Sequence, residues 1–299
     1  MTDDWRVVFE SRNRAACADR ALVLAASEIP HKIMHDQDGT VLLVPAELSR
    51  RAGEELRLYD AENPPPVQKP RPNIPAYDPL PGIFGYTLVV CIVAWLAGTA
   101  AFGENWVPAG RIDGEYLRNG EWWRLFTALT LHSGIKHLSA NLVFGVVFGL
   151  FAGRLLGSGV AWFAIVVTAG AGNFLNTLLL ESTHRSIGAS TAVFAALGLV
   201  AGYVWRAKLM SQERWPYRYG PIVGGLALLM YTGTGDANTD VGAHLMGFLS
   251  GFGGGMLMTA FAAAYASARV QWLAGLAAVT LLSLAWLAAL SRTPALALL

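Results

Sequence analysis

Charged residues punctuate this chain unevenly, and the gaps between them set its plan. From residue 79 onward, seven runs carry no Asp, Glu, Lys or Arg: 79–103, 137–153, 155–180, 186–205, 219–235, 241–268 and 270–291. Crossing the hydrocarbon core takes about 20 apolar residues in a helix. The run 137–153, one of the two shortest, is extended upstream by a stretch from Leu125 that holds only Lys136. Seven transmembrane helices is the economical reading.

The first 62 residues follow other periods. Trp5 to Phe9 is strand-like, and Ser11 is a plausible cap for a helix through Ala15, Leu22 and Ala26. His31 to His35 and Thr40 to Val44 predict a hairpin around Asp38-Gly39. Pro45 then opens an amphipathic helix over 46–59. A β-α-β-β-α unit this short buries a thin core, so a homodimer through it is expected. Residues 63–81 hold 8 of the 14 prolines and read as an extended linker. The expected fold is an all-α polytopic bundle behind a small α+β head. Its parts are 1–62 (head), 63–81 (linker), 82–265 (six-helix core) and 266–299 (seventh helix and tail).

Composition agrees with a membrane protein: 54% of residues are hydrophobic and 14% charged. A net charge of +1 gives no polybasic signature for nucleic acid or anionic lipid, so the partner expected from composition is the bilayer, with no nucleic acid. Cys17 and Cys91 fall in different parts and suggest neither a disulfide framework nor a metal site. His31 and His35 share one strand without a ligand cluster, so no metal and no cofactor is expected. The polar start, Met1 to Arg6, is not read as a signal peptide. Arg206, Lys208, Arg214 and Arg218 crowd the loop after the fourth helix, whereas the loop near Asp236 to Asp240 has no base. The positive-inside rule then puts the head in the cytoplasm of a cell-membrane protein, with the front of helix four toward the outer face.

Polar groups inside these apolar runs are few. The stretch Gly188 to Gly198 is small-residued and holds Ser190, roughly a turn inside the fourth span. A lone serine there would ordinarily back-bond within its own helix. Helix two begins with His132, followed by His137 and Asn141, which share a face at i,i+4. With no carboxylate beside them, imidazole and carboxamide suit a developing oxyanion better than a metal. Asn173 and Asn176 read as helix–helix hydrogen bonds. Helix six carries His244 and then Gly247, Gly251 and Gly255, a stripe for close approach to a neighbour. If that neighbour is helix four, a desolvated imidazole meets a hydroxyl, and such an imidazole serves as a general base. Asp240 is read as a solvated residue at the helix start rather than an orienting carboxylate. Ahead of helix two, Glu121-Trp122-Trp123-Arg124 suits the headgroup level, either as a belt with Arg124 on lipid phosphate or as the rim of a site.

His132-x4-His137-x3-Asn141, Gly188-x-Ser190 and Ala243-His244-x2-Gly247-x3-Gly251 together resemble the rhomboid family of intramembrane serine proteases. Glu121-x-Trp123-Arg124 resembles that family's first-loop Trp-Arg signature, and the likeness spans 80–265. The head lies outside it and is weakly similar to small ferredoxin-like domains fused to bacterial membrane proteins. The resemblance implies a Ser190/His244 dyad cleaving transmembrane protein substrates in or beside their spans. It also implies an oxyanion site from the Ser190 N–H, His137 and Asn141. His132, Trp123, Arg124, Gly188, Gly247 and Gly251 become structural support. Thr191 stands where the family usually has Gly, and Phe194 where it often has Tyr. Two rival readings are a non-catalytic relative that binds transmembrane clients, and a channel. Against the channel, the polar residues gather in the outer half of the helices.

Overall fold

The computed structural model describes residues 4–36, 39–64, 76–179, 184–207 and 240–292, with 219, 223–225, 227 and 230 between the last two. Two compact units divide at residue 71. Most of the fifth predicted helix, 219–235, lies outside the described residues, as do turn residues 37 and 38.

In the first unit, β1 (Trp5–Ser11), α1 (Arg14–Ala26), β2 (Lys32–Asp36), β3 (Gly39–Pro45) and α2 (Ser49–Glu62) follow in that order. The sheet is antiparallel with order β1-β3-β2 and a bulge between Val7 and Phe9. Its core is small: Ala21, Leu24, Ile29, Leu42, Val44, Ala52 and Leu56. The helix cap differs from expectation. Asn13 caps α1 through Oδ1 and the Ala15 N–H, while Ser11 Oγ accepts from the Asn13 N–H. The carboxamide wins because it sits at the residue whose backbone is extended immediately before the helix. His31 Nδ1 meets the Ile29 carbonyl and His35 Nδ1 meets Thr40 Oγ1, so both rings have local partners.

The second unit is helical. Five helices are long and apolar enough to cross a membrane. They are α3 (Leu80–Gly98), α7 (Ile135–Leu156), α8 (Ser158–Leu179), α10 (Val241–Met258, extended by the short α11, Ala262–Tyr265) and α12 (Ala268–Arg292). A sixth apolar helix, α9 (Ser190–Arg206), is shorter, at 17 residues. Between α3 and α7 the chain folds into α4 (Trp106–Gly110), β4 (Ile112–Asp113), α5 (Gly114–Arg118) and α6 (Arg124–Thr127). β4 pairs antiparallel with β5 (Arg185–Ser186), which immediately precedes the α9 turn.

Helix α9 sits at the centre, with Thr191 to Ala196, Gly198, Leu199 and Ala201 to Tyr203 all buried. Its tightest partner is α10. A Cβ on Gly247, Gly251 or Gly255 would strike the carbonyls of Thr191, Ala195 and Leu199 in turn. In the other direction, Gly198 and Gly202 of α9 lie against the carbonyls of Phe248 and Phe252. Each helix therefore presses glycines onto the other's backbone, the small-residue packing that substitutes for hydrophobic drive inside lipid. Gly172 of α8 approaches the Gly247 backbone from a third side.

Candidate active site

Backbone geometry at residue 188 decides where α9 begins. Gly188 has φ +142, a conformation L side chains rarely adopt, and its N–H donates to the Ala128 carbonyl at 3.0 Å. The chain is extended through 185–187 and turns at Ala189, so Ser190 is the first helical residue. It does not lie a turn inside a longer helix, as the charge pattern suggested. An uncharged run measures hydrophobicity and does not register the break that a positive-φ glycine makes. In consequence the first N–H groups of α9 lack intrahelical acceptors and gather around Ser190, where negative charge is favoured.

A side chain at residue 188 would also collide with the His137 ring. An added Cβ would lie 2.7 Å from Cε1 and 2.8 Å from Nε2 of His137, and 3.4 Å from Ser190 Oγ. Gly188 is thus the gap through which the imidazole of α7 and the hydroxyl of α9 face the same small space. His137 is held from behind by Ser133 Oγ, 3.1 Å from Nδ1. One turn further on, Asn141 is 5% exposed and its Nδ2 has no hydrogen-bond partner. Its backbone carbonyl is fixed by the Tyr86 hydroxyl at 2.8 Å. An unpaired buried amide is costly, which marks Asn141 as a donor waiting for an acceptor.

His244 is 6% exposed, one turn into α10, with the Phe194 ring over it at 4.5 Å between centroids. Its Nδ1 has no partner. Phe194 follows Ser190 by one turn on α9, so the ring stack and the glycine contacts together bring the His244 side of α10 to the Ser190 side of α9. Among the described residues no hydrogen bond joins Ser190 Oγ to His244. Catalytic hydrogen bonds often tighten only when substrate is bound. Thr191 is buried, with its methyl toward Gly247, and so contributes to helix packing.

His132 stands edge-on to His137, with ring centroids 5.2 Å apart. Burial, and to a smaller extent the neighbouring His137, pushes its pKa down to about 4, so the ring is neutral at pH 7.

For Arg124 the headgroup anchor is set aside in favour of structural support, and the reading of Asp240 as solvated is corrected. Arg124 is 5% exposed and does not reach for lipid phosphate. Its guanidinium donates to Glu121 Oε2 at 2.7 Å and to the Pro108 and Arg111 carbonyls at 2.9 Å, and lies 4.7 Å from the Tyr116 ring centroid. Three of its five N–H donors thus find acceptors within the folded loop. Beside it, Trp123 is 4% exposed in a cluster with Trp106, Leu131 and Trp286. Asp240 likewise is not a solvated residue, since its side chain is 14% exposed. It caps α10 through the Ala243 N–H at 2.9 Å and accepts from Asn176 Nδ2 at 3.1 Å. His184 Nε2 lies 2.7 Å from its Oδ2. Burial alone would raise the Asp240 pKa. The hydrogen bonds from Ala243, His184 and Asn176 outweigh it and hold the carboxyl below its ordinary value. Asn173, the other helix-three amide, donates to the Leu125 carbonyl at 2.8 Å.

Sequence reasoning passed over His184. It sits in a polar loop with no periodicity, and only the approach of three segments shows that it ties the strand before Ser190 to the start of the His244 helix. Trp286 of α12, donating to Thr130 Oγ1 at 3.1 Å, had no signal beyond an aromatic in an apolar run.

The profile of the Rhomboid domain matches residues 119–261. Putative rhomboid protease YdcA of Bacillus subtilis (strain 168) is 35% identical over 142 residues, 46% of this chain and 67% of that protein. Rhomboid protease GluP of the same organism is 31% identical over 150 residues, 50% of this chain but 28% of GluP. Rhomboid-like protease 3 of Toxoplasma gondii is 33% identical over 133 residues, 44% of this chain and 50% of that protein. The chain therefore spans only part of the length of these relatives, and the stretch that matches the family profile holds His137, Asn141, Ser190 and His244. On the profile, the identities and the geometry together, the chain belongs to the rhomboid family.

Proposed function

We propose that this protein is an intramembrane serine endopeptidase that cuts transmembrane protein substrates in or beside their spans. The observation that carries this reading is the convergence of α7, α9 and α10 on one space. Gly188 opens it, and Ser190 Oγ and the His137 ring face it. The His244 imidazole is stacked on Phe194 one turn behind. In this reading Ser190 Oγ attacks the scissile carbonyl carbon while His244 takes the hydroxyl proton. The oxyanion is met by the Ser190 N–H, His137 and Asn141, and the collapsing tetrahedral intermediate passes its leaving amine the proton held by His244. Water then attacks the acyl-serine by the same base assistance and restores the hydroxyl. Asn141, buried with a free Nδ2, supports this assignment because a preorganised donor costs no rearrangement at the moment of reaction.

The proposal includes seven spans, with residues 219–235 as the fifth, a cytoplasmic head and a site open to the outer face of the cell membrane. The test is cleavage of a tagged transmembrane substrate by purified wild type and Ser190→Ala. Cleavage lost in the variant supports the proposal; equal cleavage by both overturns it. The missing Ser190–His244 hydrogen bond favours the second reading, a non-catalytic relative that holds transmembrane clients. A serine-directed activity probe that labels wild type but not Ser190→Ala excludes it.

A further inference from the structure

Away from Ser190, a cavity of about 840 Å³ opens between α3, α8 and α12, a size typical of ligand sites. Along most of its length the wall is hydrocarbon, including Val89, Val90, Ile165, Val166, Leu276 and Val279. One end reaches Thr130 and Ala192, the latter on α9 two residues beyond Ser190. The other end is polar and already knotted together. Ser158 Oγ donates to the Asp78 carbonyl at 2.7 Å. Gln271 spans the turn into α8, donating to the Leu156 and Tyr265 carbonyls at 2.7 Å and accepting from the Val160 N–H at 3.1 Å.

Two arginines have their backbones next to this polar end, though neither lines the cavity itself. Arg154 is in the last turn of α7, and its carbonyl accepts from the Tyr77 N–H at 3.0 Å, beside the cavity mouth. Arg269 follows the cavity-lining Ala268 at the start of α12. Both are exposed, and neither has an ion pair among the described residues. The one carboxylate in the lining, Asp78, accepts from the Leu80 N–H at 3.0 Å.

An apolar hollow with two exposed arginines next to its polar end, neither ion-paired among the described residues, suits one amphipathic molecule, with hydrocarbon along the wall and an anion outside the rim. Basic pockets between membrane helices bind lipid headgroups for this reason. We propose that the cavity binds an anionic glycerophospholipid, its acyl chains between α3, α8 and α12 and its phosphate held by Arg154 and Arg269. A chain end seated there touches Ala192 and backs the helix that starts with Ser190. Zwitterionic lipid offers the same chains without the net negative charge, so charge, not hydrophobicity, sets the preference.

The full chain in detergent is titrated with phosphatidylglycerol or phosphatidylcholine, and bound lipid is counted by native mass spectrometry. Wild type is expected to retain one phosphatidylglycerol at about tenfold lower concentration than phosphatidylcholine, the scale of one to two kcal/mol for two surface arginines near an anionic headgroup. Arg154→Gln with Arg269→Gln removes the preference while leaving thermal unfolding in phosphatidylcholine unchanged. Gly85 lines the cavity and a Cβ there meets nothing within 4 Å, so Gly85→Leu fills space without a backbone clash and weakens both lipids. Equal retention of the two lipids by wild type, or a preference that survives the double arginine change, overturns the proposal. So does photocrosslinking at residue 85 to a transmembrane peptide in place of lipid. Ser190→Ala retains the lipid as wild type does, which separates this result from the fate of the proteolytic reading.

Discussion

The Phe194 ring lies over the His244 imidazole with 4.5 Å between centroids and 33° between planes. This stack helps to orient the imidazole, whose Nδ1 has no hydrogen bond among the described residues. Phe194→Leu keeps an apolar side chain but loses the flat surface. Cleavage by the variant is expected to fall about tenfold to hundredfold, the scale of a misplaced catalytic group, with little loss of thermal stability. Phe194→Tyr retains the ring and should stay within a few-fold of wild type. Steady-state cleavage of one substrate by the three proteins checks the order.

Asn141 offers a cleaner test of oxyanion stabilisation. Removing one preorganised donor typically costs about 10²–10³ in kcat. Asn141→Ala leaves the carbonyl that binds the Tyr86 hydroxyl untouched, and it deletes a buried amide that has no partner in the resting protein. The variant is therefore expected to lose activity while keeping or gaining stability. A loss of both together, measured by cleavage and thermal unfolding on one preparation, would make Asn141 a packing residue.

Glycines on α10 separate into two kinds. A Cβ on Gly251 would strike the Ala195 carbonyl, whereas one on Gly253 meets nothing within 4 Å. Gly251→Val should destabilise by several kcal/mol, above the usual 1–3 for overpacking because backbone cannot step aside. Gly253→Ala should be neutral or stabilising, since it lowers the entropy of the unfolded chain. Thermal unfolding in detergent reads both.

Asp240 gives a pH dependence with a definite sign. Its carboxyl is held below the ordinary carboxylate value in the folded chain. The ionised form therefore contributes stability that is present above the unfolded value of about 4 and is lost as pH falls through the lower folded value. Asp240→Asn keeps a good helix cap but loses the charge that accepts from Asn176 and His184, so it should be less stable at pH 7 by up to about 1.5–3 kcal/mol, the scale of a hydrogen bond to a charged group. The gap from wild type should narrow in acid. Because the carboxylate is bound to Asn176 and His184, most cleavage activity should survive in Asp240→Asn. A collapse of activity with unchanged unfolding would place the carboxylate in the reaction.

Much of this protein was legible in one dimension. Membrane helices announce themselves because lipid tolerates few charges: the runs at 79–103, 155–180 and 241–268 each contain a helix long enough to span, and 270–291 lies within another. A four-residue repeat such as Gly247, Gly251 and Gly255 fixes a helix face because a turn is 3.6 residues long. The head's β-α-β-β-α order followed from periods of two and 3.6 in the same way. What local spacing cannot carry is the identity of a partner. Only the packed chain shows that the glycine face lands on the carbonyls of Thr191, Ala195 and Leu199, and that Gly188 clears a path between His137 and Ser190. The same limit explains why spacing leaves two readings of Arg124 open and why Asp240 reads as solvated. Arg124 and Asp240 look like surface charges until folding brings them acceptors and donors from loops and helices far along the chain. His184 looks like nothing until Asp240 arrives, 56 residues later, to meet it. Sequence determined which segments enter the membrane and which faces they offer, because solvation acts residue by residue. Tertiary structure decided which polar groups meet, because a hydrogen bond needs two atoms in one place.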